Sequence, residues 1–254
     1  MNALILAAGY ATRLHPLTRD FPKPLLEVGN KTILDHLVDQ IRTVPEIEHG
    51  LLITNHRFVD HFRRWAAHQA ATARQSRRAR ADLRFDIIDD GTASVNDRLG
   101  AVGDIQYAIA RHGIADDLLV CAADNILLFP LERFVGAYRA NPVSHICVRA
   151  IEDVEDRKQR GIAVLNDGGR IVEFAEKPGC PGSPWGSLPL YIYPAAILPR
   201  IGEYLKSGGN PDAPGHFIEW LCGVEPVYAY KIQGSVLDIG NHELLAEARE
   251  AFRS

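Results

Sequence analysis

The sequence has little of what marks secreted, membrane or metal-cluster proteins. Its 254 residues include only four cysteines, and no two of them form a Cys-x-x-Cys pair, which argues against a disulfide framework and a cysteine zinc site. No apolar run is long enough to span a bilayer, and the first residues enter an apolar segment without the shape of a signal peptide. We therefore expect a cytoplasmic protein with reduced thiols and no membrane partner. The cysteines are Cys121, Cys147, Cys180 and Cys222.

An excess of charge of one sign is also missing. The 28 lysines and arginines and 32 aspartates and glutamates give a formal net charge of −4 at pH 7, so no nucleic-acid partner is expected. The exception is a basic tract at 70–84. Such a run could contact a nucleic acid or an acidic partner. Runs of this kind are more often solvated helix faces or loops, and the acidic total charge favours that interpretation, which leaves the role of the tract unexplained. Its arginines are Arg74, Arg77, Arg78, Arg80 and Arg84.

Hydrophobic patterning predicts alternating strands and helices in one large α/β domain, without internal repeats. A hairpin turn is predicted at Asn166-Asp-Gly-Gly169. The predicted helices are Ile33–Val44, 58–73, Leu99–Ala110, Ala195–Leu205, Gly215–Leu221 and Glu243–Phe252. The predicted strands are Ala3–Ala8, Leu51–Thr54, Arg84–Asp89, an apolar run from Leu118 that ends before Asp124, His145–Ile151, Gly161–Leu165, Arg170–Phe174, Leu188–Tyr193 and Val227–Ile232.

The most informative stretch is residues 3–26, where a buried strand is followed at Gly9 by a loop of small and polar residues. Backbone N–H groups in such a loop can face an anion. Arg13 can fork onto phosphate oxygens, and Lys23, between two prolines, adds a point charge on a restricted backbone. Each fragment alone is also common in proteins without such a site. Together they predict a site for a polyphosphate.

A second landmark is Asp124, which stands at the carboxyl end of an apolar strand. In open α/β sheets, ligands bind at that edge. An aspartate there is well placed to hold Mg²⁺, which typically takes one or two protein carboxylates together with phosphate oxygens. The alternative from this segment alone is a residue that caps the next turn beside Asn125.

The motifs resemble the signature of the sugar-1-phosphate nucleotidylyltransferases, in the short, glucose-1-phosphate thymidylyltransferase-like form without a C-terminal extension. Leu6-Ala-Ala-Gly-Tyr-Ala-Thr-Arg-Leu-His-Pro-Leu-Thr18, followed by Phe21-Pro-Lys-Pro-Leu-Leu26, matches the family's Gly-rich loop with Thr-Arg, then Pro-x-Thr, then Pro-Lys-Pro-Leu. It differs from a Walker A loop and from the Gly-x-Gly-x-x-Gly dinucleotide loop. The family usually has glycine at the position of Ala11, where alanine can be accommodated if the backbone keeps an ordinary φ.

The resemblance implies a role for each motif. Arg13 and Lys23 would be the catalytic cations, and Asp124 and Asp238, the latter in Asp238-Ile-Gly240, would hold Mg²⁺. The implied nucleotide-binding residues are Leu6, Ala8, Gly9, Tyr10, Ala11, Thr12, Leu99 and Gly100, the last two in Leu99-Gly-Ala-Val-Gly103, for which close helix packing is the alternative. The implied acceptor-binding residues are Asn125, Gly161, Glu176, Lys177 and Ser187, with Glu176-Lys-Pro178 matching the family's Glu-Lys-Pro.

Two departures from the family lie in the acceptor half. Arg160 stands where a tyrosine usually precedes Gly161, and Ser187-Leu-Pro-Leu-Tyr191 replaces the usual Asn-x-Gly-Ile-Tyr. These changes leave open an acceptor other than a sugar 1-phosphate, such as a phosphocholine-like, phosphonate or cyclitol phosphate.

The fold implied by the resemblance is a Rossmann-like three-layer α/β/α sandwich with a mixed, mostly parallel sheet. Residues 1–254 would form a single nucleotidyltransferase domain, with a nucleotide-binding half at about 1–130 and an acceptor-binding half at about 131–254. The implied reaction joins an NTP to a sugar 1-phosphate with Mg²⁺, giving an NDP-sugar and pyrophosphate for nucleotide-sugar biosynthesis. A non-catalytic nucleotide-binding regulatory subunit is the alternative of another class. The family is often oligomeric, so a homo-oligomer is left open, as is the base.

Overall fold

The computed structural model describes residues 1–73 and 83–253, in which strands and helices alternate. The strands are β1 Asn2–Leu6, β2 Glu27–Val28, β3 Lys31–Thr32, β4 His49–Thr54, β5 Phe85–Asp89, β6 Leu118–Ala122, β7 Asn125–Leu128, β8 Ser144–Ala150, β9 Gly161–Leu165, β10 Ile171–Glu176, β11 Trp185–Tyr193, β12 Val227–Lys231 and β13 Ser235–Asp238. The helices are α1 Ile33–Arg42, α2 Val59–Ala73, α3 Ala101–His112, α4 Leu131–Ala140, α5 Val154–Arg157, α6 Leu198–Lys206, α7 Pro214–Cys222 and α8 His242–Ala251.

The helices and strands predicted from hydrophobic patterning are confirmed, with shifted ends. The hairpin turn is confirmed as well, since the Gly169 N–H donates to the Asn166 carbonyl at 3.0 Å. Several elements are not anticipated from the sequence, among them α4 and the short strands β2, β3, β7 and β13. The predicted basic tract falls largely outside the described residues, because Arg74, Arg77, Arg78 and Arg80 all lie between 73 and 83.

The chain divides into two compact units. Unit 1 comprises Met1–Arg98, Ala122–Glu132 and Gly234–Ser254, and unit 2 comprises Leu99–Cys121 and Arg133–Gln233. Each unit is therefore assembled from segments that are distant in the sequence. The predicted boundary near residue 130 separates a nucleotide-binding half from an acceptor-binding half, and this assignment of roles stays a prediction.

Unit 1 contains a parallel ladder of β1, β4 and β5, in which Leu4 is opposite Leu51 and Leu52 is opposite Ile87. Ala3, Leu4 and Ile5 of β1 are fully buried, as expected for a parallel strand with both faces covered. Helix α1 starts at a capping box between Thr32 and Asp35 and buries one apolar face. The ladder ends at the residues that precede the Gly9 loop, so this loop begins on a rigid strand.

A second, two-stranded sheet in unit 1 pairs β7 with β13 in antiparallel orientation, with Asn125 opposite Asp238. Beneath it lies a hydrophobic cluster to which the N-terminal motif, β7 and the C-terminal segment all contribute. Because these segments share one core, packing fixes them next to each other. The cluster consists of Leu14, Leu26, Val28, Ile33, Ile126, Ile239, Leu245 and Ala248.

Unit 2 is organised around β11, which is nine residues long and pairs antiparallel with β6, β8 and β9. Strand β10 pairs with β9 in antiparallel orientation, so that Glu176 lies opposite Gly161. Strand β12 runs parallel to β8. The side chains of Tyr191 and Tyr193 are buried and stack with ring centroids 6.1 Å apart. This core supports the β9–β10 strand pair.

Candidate active site

Two hydrogen bonds fix the backbone that leads into the Gly9 loop. The Leu6 carbonyl accepts from the Ala123 N–H at 3.0 Å, and the Ala8 carbonyl accepts from the Asn55 side-chain amide at 3.0 Å. Asn55 is fully buried, and its own oxygen accepts from the Phe58 N–H at 3.1 Å. Asn55 is not among the residues predicted from the sequence, although an asparagine between a strand and a helical turn is a recognisable N-cap signal.

Ala11 adopts a left-handed conformation, with φ 45° and ψ 45°. The condition of an ordinary φ, under which alanine replaces glycine without strain, is therefore not met. For a residue with a Cβ this conformation costs about 1–2 kcal/mol. The Ala11 carbonyl accepts two hydrogen bonds, from the Leu14 N–H at 3.0 Å and from the buried Thr18 hydroxyl at 2.7 Å, and these offset the cost. The Pro-x-Thr part of the motif thus holds the loop in shape.

Arg13 is exposed on a single helical turn at Thr12–Leu14, while the next residue, Leu14, is buried in the hydrophobic cluster of unit 1. Gly9 and Thr12 are exposed as well. The buried leucine anchors the turn and leaves the guanidinium accessible. The loop therefore presents a cation and polar groups to solvent, as anion binding requires.

Lys23 is a buried cation, with 8% of the residue exposed. Its ammonium donates to Asp124 Oδ2 at 2.6 Å and to the Ile239 carbonyl at 2.5 Å. The other carboxylate oxygen of Asp124 accepts from the side-chain amide of Asn125 at 2.7 Å. Three segments that are far apart in the sequence therefore converge on one ammonium group.

The two aspartates with a predicted metal role lie on neighbouring backbones. Asp238 pairs with Asn125 in the β7–β13 sheet, and the Ile239 N–H donates to the Asp124 carbonyl at 3.2 Å. Among the residues that the structure describes, no group of three or more His, Cys, Asp or Glu side chains could hold a metal. Two carboxylates that need further oxygens from a substrate fit the way Mg²⁺ is usually bound.

A polar cluster that sequence reasoning missed surrounds Tyr10. The Tyr10 hydroxyl lies 3.5 Å from Thr92 Oγ1, and the Thr92 N–H donates to Asp90 Oδ1 at 2.7 Å. Asp90 is 6% exposed, and within the described part of the chain its buried Oδ2 has no hydrogen-bond partner. Burial raises the pKa of the Asp90 carboxyl. This oxygen could accept a hydrogen bond from an N–H or O–H group of a ligand.

In unit 2, three of the predicted acceptor residues meet. A Cβ built at Gly161 would lie 2.7 Å from Ser187 Oγ and 2.8 Å from Glu176 Oε2. The hydroxyl and the carboxylate therefore flank a backbone position that has no side chain. Asn125 belongs to unit 1, where its side-chain amide donates to Asp124, and its acceptor role stays a prediction.

Lys177 is exposed and has a left-handed backbone, with φ 51°. Its N–H donates to the Arg160 carbonyl at 3.1 Å, which holds the turn after β10. A strained residue with an accessible charge is typical of ligand sites. Burial raises the pKa of the neighbouring Glu176 carboxyl, while Lys177 and His216 act in the opposite direction and Glu219 adds to the rise.

Leu99 and Gly100 belong to unit 2. Gly100 caps α3 with φ 79°, and a Cβ there would lie 2.5 Å from the Pro211 carbonyl oxygen. The N–H of Val102 donates to that same carbonyl at 2.8 Å. The small residues thus serve close packing of the helix start, which was the alternative from the sequence. A contact with the nucleobase stays a prediction.

Similarity to known proteins identifies the family to which the chain belongs. A family model described as nucleotidyl transferase matches residues 2–254, and the chain belongs to this family of enzymes. The resemblance inferred from the sequence is therefore confirmed. Among the described residues, no helix is both long and apolar enough to cross a membrane. The cytoplasmic location stays a prediction.

Several curated relatives are sugar-phosphate nucleotidyltransferases by name. The chain is 28% identical over 244 residues to the mannose-1-phosphate guanylyltransferase catalytic subunit beta of Xenopus tropicalis, covering 94% of this chain and 61% of the relative. It is 26% identical over 247 residues to the UTP–glucose-1-phosphate uridylyltransferase of Synechocystis sp., with 94% and 60% covered. The chain thus spans about three fifths of the length of these relatives.

Solved structures support the fold. The chain is similar to UDP-glucose pyrophosphorylase complexed with UDP-glucose, with a TM-score of 0.81, 19% identity, and 99% of this chain and 97% of that chain covered. The apo form of UDP-glucose pyrophosphorylase gives the same TM-score at 20% identity, with 99% and 98% covered. These likenesses confirm the predicted Rossmann-like α/β fold class.

Replacing Lys23 with methionine should lower the free energy of unfolding by about 1–3 kcal/mol, because Asp124 and the Ile239 carbonyl would lose their donor. Urea unfolding followed by circular dichroism measures this. The control is Lys31→Met, whose pair with Asp39 has side chains 34% and 31% exposed and should change stability by less than about 1 kcal/mol. Equal losses in both variants would contradict a special role for the buried ammonium.

Proposed function

We propose that this chain transfers a nucleotidyl group from an NTP to a sugar 1-phosphate, giving an NDP-sugar and pyrophosphate in a Mg²⁺-dependent reaction. The observation that carries this proposal is the convergence of Lys23, Asp124 and the segment at Asp238–Ile239 beside the Gly9 loop in unit 1. Membership of the nucleotidyltransferase family and the names of the relatives support it.

The chemistry needs charge neutralisation more than proton transfer. A phosphate monoester has a second pKa of about 6, so the acceptor phosphate is largely a dianion at neutral pH and needs no general base. Positioning and electrostatic stabilisation therefore carry the rate. Exposed Arg13 would neutralise the leaving β- and γ-phosphates, and Lys23 would neutralise the α-phosphate.

Asp124 and Asp238 would hold Mg²⁺. When bound, the ion supplies further neutralisation of phosphate oxygens and helps to orient them. Lys23 already contacts one oxygen of Asp124, so its ammonium and the ion would share that carboxylate. The triphosphate would thus meet two positive charges, the Lys23 ammonium and the bound Mg²⁺.

On the acceptor side, unit 2 would bind the sugar 1-phosphate. Exposed Lys177 would hold the phosphate. Near Gly161, the Glu176 carboxylate would accept hydrogen bonds from hydroxyl groups of the sugar, and the Ser187 hydroxyl would accept or donate them. Relatives named for mannose 1-phosphate and glucose 1-phosphate favour a sugar over the non-sugar phosphates. Because the relatives include guanylyl-, uridylyl- and thymidylyltransferases, the base is left open.

Release of pyrophosphate from each NTP with a panel of acceptors tests the reaction. We expect release with at least one hexose 1-phosphate to exceed release with phosphocholine, a phosphonate or an inositol phosphate by roughly a hundredfold. Release with a non-sugar phosphate alone would assign a different acceptor class. No release with any pair would favour a regulatory subunit and overturn the enzyme proposal for this chain.

Neutralising either aspartate, as Asp124→Asn or Asp238→Asn, should lower turnover by roughly a hundredfold or more, because ligands for the ion are lost. Binding of Mn²⁺ in the presence of NTP, followed by electron paramagnetic resonance, should weaken in both variants. Asp20→Asn, at an exposed ion pair with Arg57, is the matched control and should leave both measurements unchanged. Turnover and Mn²⁺ binding that survive in both variants would refute the metal assignment.

Removing the Lys177 side chain, as Lys177→Ala, should raise the KM for the sugar 1-phosphate by roughly tenfold or more, since a charged contact to phosphate is lost. Steady-state kinetics with each substrate varied in turn measures this, and the KM for the NTP should hold. The control is Lys206→Ala, at the exposed end of α6. An unchanged acceptor KM would remove Lys177 from the site.

A further inference from the structure

We propose that Gly215, in the first turn of α7, is a positioning residue that lets the Glu176 carboxylate stand where it binds the hydroxyl groups of the acceptor. The inference rests on the proposed acceptor role of unit 2, and it adds α7 to the site. Neither the signature motifs nor their spacing points to this glycine, which is separated from Glu176 by 39 positions in the sequence (215 minus 176).

The first observation is the space that a side chain would occupy. A Cβ built at Gly215 would lie 1.8 Å from Glu176 Oε2, 2.8 Å from its Cδ and 3.4 Å from Phe174 Cε1. No real methyl group and carboxylate oxygen approach so closely. Gly215 lies in a regular helix, and its φ is outside the range that favours glycine. Its backbone would therefore accept a side chain, and the carboxylate is what an added methyl group would displace.

The second observation is that the Glu176 carboxylate lies close to two glycines. A Cβ at Gly161 would lie 2.8 Å from the same Oε2 atom. The two glycines differ in what else they touch. A Cβ at Gly161 would also lie 2.5 Å from Phe174 Cζ, and this ring is only 5% exposed. Alanine at 161 would therefore strain the core, whereas alanine at 215 would mainly push the end of a flexible side chain.

The third observation concerns the charge at this place. Burial raises the pKa of the Glu176 carboxyl, while Lys177 and His216 favour its ionised form. The N-terminal end of α7, where Gly215 lies, also favours a negative charge. A carboxylate that is partly withdrawn from water and fixed in one place is a strong acceptor for hydroxyl groups. If it moves outward, it gains water and loses its fixed direction.

The test is Gly215→Ala. We expect its KM for the sugar 1-phosphate to rise by roughly tenfold, with the KM for the NTP within about twofold of the wild type. The melting temperature should be unchanged or higher, because alanine favours a helix over glycine. Gly136→Ala is the matched control, since among the described residues a Cβ there in α4 would have only Arg139 Nη2 within 4 Å, at 3.7 Å. It should change neither KM.

A second variant tests the geometry by rescue. Glu176→Asp has a shorter side chain, so its carboxylate would stop short of a methyl group at 215. We therefore expect Glu176→Asp to weaken acceptor binding alone, and the double variant with Gly215→Ala to be no weaker than Glu176→Asp. Titration calorimetry with glucose 1-phosphate and mannose 1-phosphate gives a measure of binding that does not depend on turnover.

The outcomes separate this inference from the proposed function. A Gly215→Ala enzyme with an unchanged acceptor KM, or one in which both KM values rise as the melting temperature falls, would overturn the positioning role while leaving the reaction intact. Additive losses in the double variant would overturn it too. A wild-type chain that neither binds a sugar 1-phosphate nor releases pyrophosphate with one would overturn both.

Discussion

The buried ammonium of Lys23 is the constraint on which unit 1 depends. A charge removed from water is tolerated only when it is paired and hydrogen-bonded. Here the partners are the Asp124 carboxylate and the Ile239 carbonyl, which come from the middle and the end of the chain. Segments from three parts of the sequence must therefore be in place together. The same requirement sets a carboxylate and an ammonium side by side next to the Gly9 loop. In the proposed reaction the ammonium would face phosphate oxygens, and the carboxylate would hold Mg²⁺.

The hydrophobic cluster of unit 1 explains how these segments are held. Polar residues of the predicted site stand directly before, or shortly before, apolar residues that are buried in this cluster. Arg13 precedes Leu14, Asn125 precedes Ile126, Asp238 precedes Ile239, and Lys23 stands three positions before Leu26. An apolar anchor fixes the backbone, and the polar neighbour projects from it with little freedom. Because the anchors share one core, the relative positions of the polar groups follow from packing rather than from the loops alone.

Local patterns of the sequence predicted the long elements and the placement of Asp124 after an apolar strand, because burial and strand ends leave their mark within a few residues. The β7–β13 pairing was beyond reach, since each strand has four residues and its partner lies about 110 positions away. The N-cap pattern marks Asn55, but no local pattern encodes its contact with Ala8 or the contact of Gly215 with Glu176. The left-handed φ of Ala11 was not foreseen either, because tertiary hydrogen bonds override the ordinary preference of alanine.

Asp124 and Glu176, two carboxylates of the proposed chemistry, are held by different means. Asp124 is compensated by a buried ammonium, whereas burial raises the pKa of Glu176 against the opposing effects of Lys177 and His216. A raised folded-state pKa means that the protonated Glu176 favours the folded state at acid pH, and that this stabilisation is lost as the pH rises through that pKa. At a pH above that pKa, the buried Glu176 therefore lowers stability relative to an exposed glutamate. Residues that reduce stability concentrate where function requires them. This loss of stability arises beside Gly161, Ser187 and Gly215, where the Glu176 carboxylate would contact hydroxyl groups of the acceptor instead of water.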